Sequence, residues 1–243
     1  MSLAAQNSAF ASVGAAATFA HVDTWVFDLD NTLYPAECRL FAQVDQRMGE
    51  FIARYLGCPF EHARHLQKVY YRQFGTTLSG MMQVHKMDPK AFLAYVHDLD
   101  LSVVPPSPEL RASIERLPGR KLIFTNGSTA HAERVAAKIG VLDLIDGICD
   151  IEACNYQPKP GASAFTTFVA RHAVEPKRAA MFEDMPHNLE IPHALGMTTV
   201  LVRSSLDNPT AGRAQSWTTT PPSHIHHTTS DLTCFLTQLI NPS

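Results

Sequence analysis

The sequence predicts an α/β protein, a doubly wound parallel sheet interrupted once by an all-helical insert. Short apolar runs rich in β-formers recur along the chain, with helical patterns between the later ones. Strands that alternate with helices pair in parallel through right-handed crossovers. Between the first run and the second, residues from about 40 to 101 offer no strand and repeat their apolar side chains at helical spacing.

The first strand is expected over Thr24-Trp25-Val26-Phe27, whose β-branched and aromatic side chains suit a buried pleat. In the insert, Leu40, Phe41, Val44, Met48, Phe51, Ile52 and Tyr55 mark one helix, and Leu66, Val69 and Tyr70 a second. A further helix begins at Asp88-Pro89 and carries Phe92, Leu93 and Val96. Tyr34-Pro35 and Val104-Pro105-Pro106 flank the insert as a hinge, because X-Pro pairs favour extended connections. Ser107-Pro108-Glu109 then supplies an N-cap, an N1 proline and an early acid for a helix that buries Leu110, Ile114 and Leu117. Later strands are expected at Lys121 to Thr125, Gly147 to Cys149, Ala179 to Phe182 and Thr198 to Val202. After the second of the five, Ser128 caps a helix that carries Val135 and Ile139 and stops at Gly140. The expected organisation is a flexible extension over residues 1–21, an α/β core over 22–38 and 105–205, a helical insert over 39–104, and a tail over 206–243 with a short helix from Leu232 to Ile240.

Composition narrows the function. With 243 residues, 45% hydrophobic, and a net charge of -3, the chain has room for one sizeable core but lacks the clustered cations that a nucleic-acid polymer demands. No apolar stretch approaches a membrane span. The Ala-rich first twenty residues hold no Lys or Arg, so they read as a frayed extension rather than a secretion signal. Five scattered cysteines without a Cys-x-x-Cys pair read as reduced thiols in a cytoplasmic protein. His224-Ile225-His226-His227 reads as part of a solvated tail in preference to a metal site, since no regular element is expected to fix its ligands.

Each strand end offers polar groups with two readings. Asp28 and Asp30 lie at the end of the first strand and project the same way if extended geometry continues. Like charges held so close favour a shared proton or a bound cation, although an Asx turn is the plain alternative. Thr125-Asn126-Gly127-Ser128 makes either an anion site at a helix N-terminus or merely a cap and a turn. Lys159, held between Pro158 and Pro160, is either a positioned cation or a solvated loop lysine. Glu183-Asp184, with Asn188 on the next turn, presents either hard-oxygen ligands of the kind Mg2+ prefers or a solvated acidic loop. No Walker-type or dinucleotide glycine loop is present.

Taken in order, these four signals resemble the haloacid dehalogenase-like phosphatase superfamily, with its Rossmann-like core. Motif I matches Asp28-Leu29-Asp30-Asn31-Thr32-Leu33, motif II Thr125, motif III Lys159, and motif IV Glu183-Asp184 with Asn188. The likeness spans roughly residues 22 to 204, and the insert resembles that superfamily's C1 cap. Gly161 stands where many relatives carry an acid, and Pro192 should kink the helix after motif IV. The resemblance implies a mechanism. Asp28 attacks phosphorus to form an aspartyl-phosphate, and Asp30, protonated near its neighbour, is the general acid and base. Thr125, the Asn126 backbone and Lys159 bind phosphoryl oxygens. Mg2+ is held by Asp28, the Asp30 carbonyl and Asp184, with Glu183 and Asn188 further out. The dehalogenases of this superfamily lack the second aspartate, so Asp30 favours phosphoryl transfer.

Phe27 to Pro35 and the insert segment Tyr71-Arg72-Gln73-Phe74-Gly75-Thr76-Thr77-Leu78 look like the pyrimidine 5'-nucleotidase branch. That likeness implies a small phosphate ester as substrate, UMP or CMP foremost, with Tyr71, Arg72, Thr76 and Thr77 as its contacts in the insert. The alternative for Tyr70 and Phe74 is a core position on a helix that Gly75 ends. Phosphoglycolate or sugar-phosphate hydrolysis, phosphomutase activity and a noncatalytic binding module are the competing readings. Nothing in the sequence assigns an oligomeric state.

Overall fold

The computed structural model describes residues 18–204 and 221–240. Its centre is one six-stranded, all-parallel sheet in the order β3-β2-β1-β4-β5-β6. The strands are β1 Thr24–Phe27, β2 Arg120–Phe124, β3 Gly147–Cys149, β4 Ala179–Glu183, β5 Thr198–Val202 and β6 His227–Thr229. The five expected strands are all present, β2 one residue earlier at both ends and β4 one residue longer. Side chains alternate across the pleat, so Trp25 and Phe27 join one apolar cluster and Val26 another. Both faces are therefore buried, as an all-parallel sheet requires.

Nine α-helices lie among the described residues. The insert supplies α1 Leu40–Leu56, α2 Phe60–Phe74, α3 Thr77–His85 and α4 Pro89–Val96. The core supplies α5 Pro108–Arg116, α6 Thr129–Ile139, α7 Ala162–Arg171, α8 Glu190–Leu195 and α9 Leu232–Ile240. Ser128 caps its helix through the side chain as expected, Asp88 does the same for the helix that begins beside it, and Gly75 and Gly140 end theirs at positive φ. Ser107 departs from expectation: its side chain makes no cap bond, and its backbone N–H goes to the Ile139 carbonyl. Pro192 accompanies a break, the chain after β4 running as a 3-10 turn over Pro186–Leu189 before α8.

The insert has its own apolar cluster around Phe51, Ile52, Met81, Phe92 and Val96. Two residues of the loop after β3 belong to it: Ile151, 2% exposed, and the partly buried Tyr156. Helices α2 and α3 pack so closely that a Cβ on Gly80 would overlap Tyr70 Cβ. Gly80→Ala is expected to destabilise the protein by ~1–3 kcal/mol, the usual cost of overpacking. A urea titration checks this, and an unmoved midpoint would show that the two helices separate freely.

Both chain ends depart from the sequence reading. The expected flexible extension falls largely outside the described residues, yet Phe19 is 5% exposed and stacks on Trp25 at 5.9 Å. Residues 205–220 and 241–243 lie outside the described residues, while 227–229 of the tail pair with β5 as a sixth strand. The histidines of this segment bond to the sheet edge, with His226 still exposed. Thr199 N–H donates to His226 Nδ1 at 3.0 Å, and the Thr199 hydroxyl donates to the His224 carbonyl at 2.8 Å. Among the described residues no helix is long and apolar enough to cross a membrane.

Candidate active site

In an open parallel sheet, ligands collect beyond the carboxyl ends of the strands where the strand order reverses. Here the reversal falls between β1 and β4. Asp28 follows β1, Glu183 ends β4, Asp184 follows it, and Thr125 follows β2. Lys159 reaches the same place from the loop after β3.

The buried Lys159 Nζ is the hub. It donates at 2.8 Å to each of Asp28 Oδ1, Glu183 Oε1 and the Phe124 carbonyl. An ammonium has three protons, so all of them are engaged within the protein. The sequence predicts that Lys159 binds phosphoryl oxygens; without ligand its ammonium is held by these three acceptors. Its position joins two buried carboxylates, and contact with a phosphoryl group requires one of these bonds to be exchanged. Burial works against the charged lysine, but the carboxylates of Asp28 and Glu183 outweigh it and raise its pKa.

Asn126 holds the lysine loop by a reciprocal pair: Lys159 N–H donates to Asn126 Oδ1 at 2.8 Å and Asn126 Nδ2 to the Lys159 carbonyl at 3.1 Å. One of the two protons of the Asn126 amide is thereby engaged. Thr125 Oγ1 accepts from Gly127 N–H at 2.9 Å, which leaves its hydroxyl proton to donate elsewhere. Glu183 Oε1 also accepts from Asn188 Nδ2 at 2.6 Å, and Oε2 from Met185 N–H at 2.7 Å. Asn31 Nδ2 donates to Asp184 Oδ2 at 3.3 Å.

Asp28, Glu183 and Asp184 each bring a carboxylate oxygen within 4.8 Å of the others. This all-oxygen donor set suits a hard divalent cation such as Mg2+. The buried Asn188 Oδ1 beside them takes no hydrogen bond within the described residues. Asp30 is outside the group, its side chain turned toward Tyr34 OH at 2.6 Å and His131 Nε2 at 2.9 Å, both on Oδ1. The part in holding metal that the resemblance implies for Asp30 is through its backbone carbonyl and does not call on this side chain.

The pKa values of the two aspartates shift in opposite directions, Asp28 upward and Asp30 downward, whereas the sequence predicts a protonated Asp30. Burial pushes Asp28 up to about 7 against the attraction of Lys159. Burial also works to raise Asp30, but the charge and hydrogen bond of His131, with that of Tyr34, bring it down to about 2. The sequence reading counted the repulsion between the two acids and had no view of these donors. Tyr34 was legible only as a hinge residue. His131 had one signal, a histidine in the first turn of a helix that starts at a strand end, and His97, which stacks on it, had none.

The insert residues separate into two pairs. Thr76 Oγ1 accepts from Ser79 N–H at 3.0 Å as the N-cap of α3, and the buried Thr77 faces the Gln67 carbonyl at 3.4 Å. Both hydroxyls thus bond within the insert, whereas the likeness implies that they contact substrate. Tyr71 and Arg72 are exposed on the last turn of α2. The turn that follows lies near the motif III loop, since a Cβ on Gly75 would sit 4.0 Å from Pro158 Cγ.

The model of the haloacid dehalogenase-like hydrolases matches residues 22–196. The chain belongs to this family. Among curated proteins it is similar to phosphate metabolism protein 8 of Saccharomyces cerevisiae, at 27% identity over 196 residues, 72% of this chain and 60% of that protein. The chain thus spans about 60% of that relative's length. The fold is shared with a HAD phosphatase from Thermococcus onnurineus, with TM-score 0.60, 17% identity and coverage of 91% of this chain and 99% of that one. It is also shared with a 2-haloacid dehalogenase from Pseudomonas syringae pv. Tomato DC3000, with TM-score 0.53, 16% identity and coverage of 90% and 98%. Haloacid dehalogenase-like folds of both kinds align with the chain, so the choice between reactions rests on individual side chains.

Proposed function

We propose that the chain is a Mg2+-dependent phosphomonoester hydrolase working through an aspartyl-phosphate on Asp28, with pyrimidine nucleoside 5'-monophosphates as substrates. The observation that carries the reading is a second carboxylate, Asp30, held by two donors at the mouth of the site. Halide leaves without a proton, whereas an alkoxide leaving group needs one, so a placed acid at this position favours phosphate esters.

An Asp28 oxygen attacks phosphorus in line while the bond to the leaving oxygen breaks. Asp30 supplies the proton that the leaving oxygen takes up. A phosphoryl dianion beside Asp30 disfavours its carboxylate form and so raises its proton affinity from the low value of the free protein. In the second half, Asp30 takes a proton from water as that water attacks the acyl-phosphate, releasing phosphate and restoring Asp28. The Thr125 hydroxyl and the Asn126 N–H bind phosphoryl oxygens, while Lys159 keeps Asp28 and Glu183 in register. A divalent cation held by Asp28, Asp184 and the Asp30 carbonyl supplies charge neutralisation at the phosphoryl group.

The narrower substrate reading rests on the insert segment that looks like the pyrimidine 5'-nucleotidases, with Tyr71 and Arg72 as the remaining contacts for the base. The test is a phosphate-ester panel assayed on chelated protein before and after Mg2+ is added. Turnover is expected only with the cation, and fastest on UMP and CMP. Preference for phosphoglycolate or a hexose phosphate would overturn the nucleotide assignment. Transfer of phosphate between sugar positions without its release would point to a mutase. Absence of turnover on every ester would overturn the enzyme reading in favour of a binding module.

A further inference from the structure

Tyr34 and His131 both donate to one oxygen of Asp30, Oδ1, at 2.6 and 2.9 Å. Among the described residues Oδ2 takes no hydrogen bond. A carboxylate pinned by a single oxygen has its rotation fixed and its other oxygen presented in one direction.

His131 is itself held. Its ring, nearly fully buried, stacks on His97 with centroids 4.3 Å apart and planes 8° from parallel. Its backbone N–H donates to Ser128 Oγ at 3.4 Å, and the same oxygen bonds His97 Nδ1 at 2.9 Å. His97 follows α4, on the segment that returns from the insert to the core. Arg134 of α6 clamps that segment by donating to the carbonyls of His97 at 3.0 Å and Leu99 at 3.2 Å. Both rings also crowd the motif II loop. A Cβ on Gly127 would lie 3.3 Å from His131 Cδ2, 3.3 Å from Thr125 Oγ1 and 3.6 Å from His97 Nε2.

We infer that Tyr34 and His131 are positioning residues that hold Asp30 by Oδ1 and present Oδ2 to the leaving-group oxygen, with His97 fixing the His131 ring from the returning segment of the insert. The inference rests on the phosphatase reading above. In the step concerned, the bond between Asp28 and phosphorus forms, the bond from phosphorus to the leaving oxygen breaks, and the proton on Asp30 Oδ2 passes to that oxygen. Misplacing Oδ2 impairs only the last of these three events.

The test follows from that selectivity. p-Nitrophenolate departs from phosphorus without a proton, whereas an alkoxide such as the 5'-oxygen of UMP needs one, and kcat/KM reports the first half-reaction. For Tyr34→Phe and His131→Leu, kcat/KM on the best alkyl phosphate is expected to fall by ~10- to 100-fold, part of what a general acid contributes. The ratio of kcat/KM for p-nitrophenyl phosphate to that for the alkyl ester should rise at least ~10-fold. His131→Gln, which keeps a donor near the Nε2 position, should regain much of the loss, and His97→Ala should shift the ratio in the same direction by less. Equal losses on both esters, or no change in the ratio for Tyr34→Phe, would overturn the inference, as would a His131→Gln variant no better on the alkyl ester than His131→Leu. Should His131→Leu fail to fold, Tyr34→Phe still decides it. A wild-type protein that hydrolyses neither ester would instead refute the phosphatase reading.

Discussion

Asp28→Asn is expected to lower kcat by at least ~100-fold and to leave no phosphorylated enzyme on acid quench with radiolabelled substrate. An amide cannot form the acyl-phosphate, yet it nearly matches the carboxylate in shape. Its oxygen still accepts from Lys159, so the loss is chemical rather than structural. The change also removes a buried charge whose pKa already stands near 7, so folding should tolerate it. Asp30→Asn should cost a similar factor, because the amide has no acidic proton to give and takes none from water. Near-wild-type turnover by the Asp28 variant would remove it as nucleophile; by the Asp30 variant, it would remove proton transfer at that position.

The second large effect is on stability. Lys159→Met is expected to destabilise the protein by ~3–5 kcal/mol, the scale for removing one partner of a buried ion pair. Lys159 is 2% exposed, and its loss leaves Asp28 and Glu183 facing each other without the cation between them. Adding Glu183→Gln should recover part of the loss, since one of the two uncompensated charges then disappears. Denaturant titration of the four proteins in the cycle measures the coupling. Strict additivity would mean that the lysine contributes nothing through Glu183. Activity of the single variant should fall as well, because Asp28 loses the bond that orients its attacking carboxylate.

The five strands of the core were legible because each is an apolar run that one buried face or two can explain. β6 was not, since His227-Thr228-Thr229 has no apolar period and owes its pairing to the open edge of β5. The acids of the site were legible for another reason: paired carboxylates at a strand end are hard to explain by packing. What the side chains around them do was not. The clamp between Asn126 and Lys159 joins residues 33 apart in the chain, and His131 reaches Asp30 across 101. Local pattern carries no trace of such contacts, so the engaged donors of Lys159 and the two donors that hold Asp30 emerged only in three dimensions. Thr76 and Thr77 show the converse limit. Their resemblance suggested recognition, but local geometry makes one a helix cap and buries the other.

Ile151 and Tyr156, seated in the apolar cluster of the insert, lie on the loop that runs on to Lys159. Swinging the insert away from the sheet would either tug that loop along or strip Ile151 of its neighbours. Stripping it costs roughly 1.5–3 kcal/mol, enough to favour the latched arrangement about tenfold or more. The loop that carries Lys159 is thus packed into the insert above it, so a displacement of the insert would be felt at the ammonium.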